Sequence, residues 1–221
     1  MEFIDLSVMK VGPDDTFQYH CFRCGECCHN VRESIMLTSW DMFRLAKLLD
    51  RPIEEFINDY TVPGLITFPI FTLKTKPYGD ACIFYKNGCS VQEAKPLVCR
   101  LYPLNIEPGD HEGLSYCIVS QKPHHYTGQT RKVGDWMAEN LTPDDRRFMV
   151  GWFNQVLEFG KLMKRIGQTA GGKEKLERLL TSMIWMMYVC YEIQEDFWPQ
   201  YERNMACLKK GLESAAKGGL R

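Results

Sequence analysis

Hydrophobic residues follow two different periods along the chain, and the change comes near residue 142. Before it, apolar positions occur in short runs. Phe3, Ile4, Leu6, Val8 and Val11 alternate loosely and lead through Phe17 and Tyr19, the pattern of one or two strands. Met42, Phe43, Leu45, Ala46, Leu48 and Leu49 fall at helical spacing, behind the capping box Thr38-Ser39-Trp40-Asp41. Asp50-Arg51-Pro52 restarts a short helix over Ile53 to Tyr60, with Pro52 in its first turn. Thr67 to Thr75, rich in Phe, Ile and Thr, predicts a strand. Cys82 to Cys89 reads as a tight hairpin turning at Asn87-Gly88, which brings the two cysteines together. Ser90-Val91-Gln92-Glu93 is a second capping box; its helix has Pro96 early in it or breaking it, and Cys99 near its end. Leu114 to Ser120 predicts a further strand that holds Cys117.

From Thr142 the pattern is helical throughout. Thr142-Pro143-Asp144-Asp145 is a helix start with proline first and acids in the first turn, and the helix runs to about Ile166. Gly167 to Gly172 breaks it. The next helix, from Lys173, places Leu176, Leu179, Leu180, Met183, Ile184, Met187, Tyr188 and Tyr191 on one face, which reads as core. Trp198-Pro199 marks a bend before a last helix from about Gln200 to Ala216.

Composition narrows the class. At 221 residues, 45% hydrophobic and 25% charged, the chain is that of a soluble globular protein. A net charge of −1 gives no general attraction to nucleic acid. The start, Met-Glu-Phe-Ile-Asp-Leu, lacks the basic and apolar regions of a signal peptide, and Met183 to Tyr191 is too short to span a bilayer. The expectation is a cytoplasmic protein with no membrane and no nucleic-acid partner. In a reducing compartment dense cysteines bind metal more readily than they form disulfides; a secreted disulfide scaffold is the weaker alternative.

The ten cysteines change the picture most. Eight lie between Cys21 and Cys117, and four occupy the run Cys21-x-x-Cys24-x-x-Cys27-Cys28. Cys-x-x-Cys turns let two thiolates approach one metal, and three at this spacing match the first three positions of the bacterial ferredoxin run. The remaining four are Cys82, Cys89, Cys99 and Cys117. Neighbouring side chains diverge, so Cys27 and Cys28 are more easily shared between two sites than crowded onto one ion. Eight thiols suffice for two four-thiolate sites, or for one site with the rest structural or reactive. Four-cysteine zinc usually draws on two separated knuckles, and only one is evident here; the spacing therefore favours an iron–sulfur cluster over zinc. Arg23, Arg32 and Arg100 are near enough in sequence to offset the negative charge of such a site, or are simply solvated. His20 and His29 flank the run as candidate substitute ligands, with a supporting or surface place the simpler reading. Tyr102 orients the site or packs. His124-His125 reads as surface loop, Glu26 as solvent-facing, and Cys190 and Cys207 as free buried thiols. No Ser-His-Asp order or phosphate-binding loop stands out.

Several of these segments together resemble one family. Phe22-x-Cys24-Gly25-x-Cys27-Cys28, Leu37-Thr38-x-x-Asp41, Cys82-Ile83-Phe84 closing at Cys89, and Lys95-Pro96-x-x-Cys99-Arg100-x-Tyr102-Pro103 are similar, in order, to the CxxCxxCC cysteine-cluster family, a YkgJ-type zinc- or iron-chelating domain. The family usually has Arg-Pro where this chain has Lys95-Pro96. The resemblance covers about Cys21 to Cys117 and implies a metal centre bound by these cysteines. Its relatives include the flagellin lysine N-methylases, whose cysteine cluster is linked to a four-iron cluster and methyl transfer; the ligands carry over, the activity does not.

The expected architecture is α+β: a cysteine-cluster metal-binding domain over 1–141 with short strands and helices, and an α-helical region over 142–221. Val11 to Arg32, with few periodic apolar residues, is expected to need the metal for its fold. The expected ligands, of an iron–sulfur cluster (4Fe-4S) or alternatively of Zn2+, are Cys21, Cys24, Cys27, Cys28, Cys82, Cys89, Cys99 and Cys117. Two functions follow: an iron–sulfur enzyme of redox or group-transfer type acting on a protein, or a non-catalytic zinc module that contacts a protein partner.

Overall fold

The computed structural model describes residues 9–29, 31–66, 68–108, 114–119, 125 and 129–217. In chain order the elements are β1 (Met9–Val11), β2 (Thr16–Gln18), β3 (Met36–Leu37), α1 (Ser39–Leu48), α2 (Ile53–Tyr60), β4 (Thr61–Leu65), β5 (Pro69–Leu73), α3 (Leu97–Leu101), β6 (Leu104–Pro108), β7 (Leu114–Ile118), β8 (Thr130–Lys132), α4 (Val133–Asn140), α5 (Pro143–Gly167), α6 (Gly172–Ile184) and α7 (Phe197–Ala216). The fold is α+β, with small antiparallel sheets in the N-terminal half and helices after it. Chain order and compactness run differently. One compact unit combines residues 1–26 with 96–154, the other 27–95 with 155–221.

In the first unit β7 lies between β1 and β6, and β2 pairs with β8. Trp136 on α4 organises the core. Its ring meets Tyr19 at 5.4 Å and Phe17 at 6.1 Å, both edge-on, and its indole N–H donates to the Leu101 carbonyl at 3.0 Å. The helix start expected at Thr142 is present and proves to be a capping box: the Asp145 amide donates to the Thr142 hydroxyl (3.1 Å), and the Thr142 amide to the Asp145 carboxylate (2.8 Å). The same carboxylate, buried, takes Arg100 at 2.7 Å.

In the second unit β5 is the middle strand of β3-β5-β4, with Phe71 and Leu73 buried. The α1 capping box is present, and α2 starts directly after Pro52. Between α5 and α6 the chain turns where only glycine fits: a Cβ on Gly172 would collide with the Ile166 carbonyl oxygen. The helical face expected from Lys173 onward is kept, with Leu179, Met183, Met187, Tyr188 and Tyr191 buried. α6 ends at Ile184, and Trp185–Val189 continues it as a π-helical turn that leaves Trp185 exposed. Tyr188 stands edge-on to Phe71 at 5.0 Å and donates its hydroxyl to the Pro69 carbonyl at 3.0 Å. The final helix begins earlier than expected, at Phe197, and runs through Pro199 without a bend. A proline in the first turn removes no helical hydrogen bond, so Pro199 does not break the helix it helps to start.

Other expectations shift locally. The 67–75 strand is β5, shorter at both ends, and Thr67 lies outside the described residues. The 114–120 strand is β7; Ser120 and the alternating positions through Val8 also lie outside them. Ser90 caps nothing: its hydroxyl donates to the Phe84 carbonyl at 2.8 Å, so Gln92–Ala94 forms only a 3-10 turn and α3 starts anew after Pro96. Among the described residues no helix is long and apolar enough to cross a membrane.

Asp145 joins a helix cap to a buried ion pair, and removing one partner strands the other charge. Asp145→Ala is expected to destabilise the chain by about 3 kcal/mol, read as a lower denaturant midpoint.

Candidate metal centre

The eight thiols divide evenly between the units. Cys21, Cys24, Cys99 and Cys117 belong to the first, and Cys27, Cys28, Cys82 and Cys89 to the second.

In the second unit the chain is bent so that distant thiols share one neighbourhood. A 3-10 turn over Glu26–Cys28 winds Cys27 and Cys28 together, and their sulfurs lie 4.0 Å apart. Adjacent side chains were expected to diverge; the tight turn lets both rotate to the same side. The Cys82 amide then donates to the Cys28 carbonyl at 2.7 Å, which fixes the later loop against the run. The Asn87-Gly88 turn is present, with φ of 54° and 138°, but its ladder differs from a simple hairpin: Cys89 is bridged to Tyr85, and Cys82 to Thr75. The Tyr85 amide donates to the Cys82 carbonyl at 2.9 Å. His29 stacks edge-on against Tyr85 at 4.6 Å, a packing role.

The thiols differ in character. Cys28 beside Cys27 lowers the Cys27 thiol to about 6; burial opposes this and Lys95 assists. Cys82 is buried, and burial first, then the nearby Cys89 and Cys27 charges, push its thiol up. Cys27 is thus the more readily ionised of the two thiols and Cys82 the less.

In the first unit Cys21 and Cys24 are exposed, with Arg23 and Gly25 at positive φ (54° and 78°) turning the chain between them and Cys27. Cys99 is half-buried on α3. Cys117 is buried on the central strand β7, opposite Asn105, with its sulfur 3.7 Å from the Asn105 carbonyl oxygen. Arg100 is engaged by Asp145 rather than by thiolates. Arg23, Arg32 and Glu26 are exposed. Tyr102 packs edge-on to Tyr19 at 5.7 Å, and His20 places a ring nitrogen 3.1 Å from the Gln129 side-chain oxygen.

Two readings of the sequence are corrected. His125 is not on the surface: it is 3% exposed, and its Nε2 lies 3.4 Å from the Cys24 sulfur. Nothing at His124-His125 marks this, because the partner is 101 residues away; His124 lies outside the described residues. Cys190 and Cys207 are not buried thiols: Cys190 is half-buried after the π-helical turn, and Cys207 is exposed on α7.

Among the described residues no three His, Cys, Asp or Glu side chains already stand together as a ligand set. Pairs do, and thiol side chains complete such sets by χ1 rotation when an ion supplies the attraction. The donor chemistry fits a soft or borderline cation.

These features fit a cysteine-based chelating domain. Residues 20–126 match the CxxCxxCC family, described as "Putative zinc- or iron-chelating domain", which bears out the resemblance over that segment and supports metal binding by this chain. An uncharacterised protein of Methanocaldococcus jannaschii is 29% identical over 92 residues, 40% of this chain and 46% of that protein. The chain thus spans less than half the length of that relative. No solved structure matches.

Thiol accessibility tests the placement. In metal-free, reduced protein, Cys21, Cys24, Cys27 and Cys207 are expected to alkylate within the first minutes, while Cys82 and Cys117 react only on denaturation, as read by peptide mass spectrometry.

Proposed function

We propose that the second unit holds one tetrahedral metal ion through Cys27, Cys28, Cys82 and Cys89. The observation that carries this reading is the 4.0 Å separation of the Cys27 and Cys28 sulfurs. Two thiolates on one zinc ion, each at about 2.3 Å in tetrahedral geometry, stand about 3.8 Å apart. In a four-iron cube each cysteine takes a different iron, so the ligand sulfurs sit at separate corners and farther apart. The separation therefore favours a single ion, zinc or mononuclear iron, over the cluster that the run's spacing suggests. Such an ion would tie residues 27–28 to a loop more than fifty residues later, and its binding energy would become folding energy for that loop.

On this reading the domain is a metal-held platform in a reducing, cytoplasmic setting, and it acts by presenting its surface to a protein partner. The second reading is the iron–sulfur enzyme that modifies a protein. It is favoured by the exposure of Cys27, which leaves the site reachable from solvent.

Anaerobic purification with metal and sulfide analysis separates the two. The expected result is bound zinc or iron with no acid-labile sulfide, and loss of that ion with a lower unfolding midpoint in Cys28→Ser and Cys82→Ser. Cys207→Ser is expected to change neither. Brown protein with stoichiometric sulfide would replace the single ion by a cluster. Undiminished metal in both ligand variants would reject the ligand set.

A further inference from the structure

We infer that the first unit carries a metal site of its own, in which His125 is a ligand beside Cys24. The inference rests on the reading that these cysteines hold metal, and it adds a donor that the cysteine pattern does not contain.

The distance comes first. His125 Nε2 and Cys24 Sγ are 3.4 Å apart. Donors bound to one tetrahedral zinc ion at about 2.0 Å (nitrogen) and 2.3 Å (sulfur) stand about 3.6 Å apart. The pair is already at ligating separation.

The ring is also held in place. Tyr19 meets it edge-on at 5.6 Å and Tyr102 at 6.2 Å. Its backbone carbonyl accepts from the His20 amide at 3.1 Å, which anchors residue 125 directly beside the start of the cysteine run. An imidazole packed among aromatic rings, with one nitrogen aimed at a thiol on an exposed loop, is a positioned donor rather than a filler of apolar space.

The third donor follows from the run. Cys21-x-x-Cys24 is knuckle spacing, and Cys21 is exposed at a loop position where its side chain is able to turn toward Cys24. Cys21, Cys24 and His125 form a two-thiolate, one-imidazole set of the kind that open zinc sites use, with the fourth place left to solvent or to Cys99 of the same unit.

The test uses the full chain, purified anaerobically and loaded with zinc. Zinc-edge X-ray absorption of the wild type is expected to show an imidazole nitrogen contribution beside sulfur. His125→Phe keeps an aromatic ring against Tyr19 and Tyr102 and is expected to lose that contribution and about one metal equivalent per chain. His125→Cys keeps a donor and is expected to regain the equivalent with an all-sulfur shell. An all-sulfur shell in the wild type, or a full metal complement with unchanged imidazole signal in His125→Phe, overturns the proposal and leaves the second unit's centre standing. A chain that binds no metal at all rejects the metal reading as a whole. If His125→Phe fails to fold, the wild-type spectrum alone decides.

Discussion

The Cys82 amide donates to the Cys28 carbonyl at 2.7 Å, and the cysteine loops of the second unit depend on that bond. The Val31 amide reinforces it by donating to the Asp80 carbonyl at 3.0 Å. The stretch from Thr75 to Cys89 is further shaped by isolated bridges at Thr75–Cys82 and Tyr85–Cys89, the turn at Asn87-Gly88, and ring contacts of Phe84 with Tyr60 and of Tyr85 with His29. The Cys82–Cys28 bond brings the backbone of Cys82 beside that of the Cys27-Cys28 pair, and Cys89 follows seven residues on. A backbone bond suits this task because it fixes Cα positions while leaving χ1 free for the sulfurs to adjust to an ion. Burial holds the Cys82 thiol up, and on the proposed reading a metal ion would supply the positive charge that its thiolate lacks there.

The division of the thiols gives the run of four a different meaning from its appearance. Gly25, at a φ of 78°, turns the chain within the run. Cys21 and Cys24 lie before that turn and Cys27 and Cys28 after it, each pair with its own unit. Arg100, which sequence proximity offers as a counter-charge, is occupied by a buried carboxylate that also caps α5. Lys95 near Cys27 and Lys76 near Cys82 favour the thiolates in part, and on the proposed reading a bound cation would offset the rest.

Local signals were legible in the sequence and long-range ones were not. The capping box at Thr38, the helix start at Thr142 and the Asn87-Gly88 turn rest on chemistry within four residues, and all three form. Ser90 has the same local signature and fails, because the Phe84 carbonyl competes for its hydroxyl. The helical stripe from Lys173 holds, with Met187, Tyr188 and Tyr191 buried, although the turn at Trp185–Val189 is π-helical, which no fixed period reveals. The cysteines announced a metal site by number and spacing alone. The burial of His125 beside Cys24 gave no such signal, since the two lie 101 residues apart. The interleaving of the units was equally invisible: the last helices belong with residues 27–95, a matter of tertiary packing rather than of pattern.

Stability is unevenly spread within the second unit, and this bears on why thiols are placed where they are. Its helices bury large side chains, among them Phe56, Phe159, Ile166, Met183 and Tyr188, and so carry their own apolar core. The loop that presents Cys82 and Cys89 buries only Ala81, Cys82, Phe84 and Val91 between residues 75 and 92. Burial on that scale offsets little of the conformational entropy of ordering so irregular a stretch. Regions of this kind open locally before the rest of a fold does. On the proposed reading, a metal ion held by Cys82 and Cys89 would add stability where the apolar core adds least, at the loop whose backbone is already bonded to Cys28.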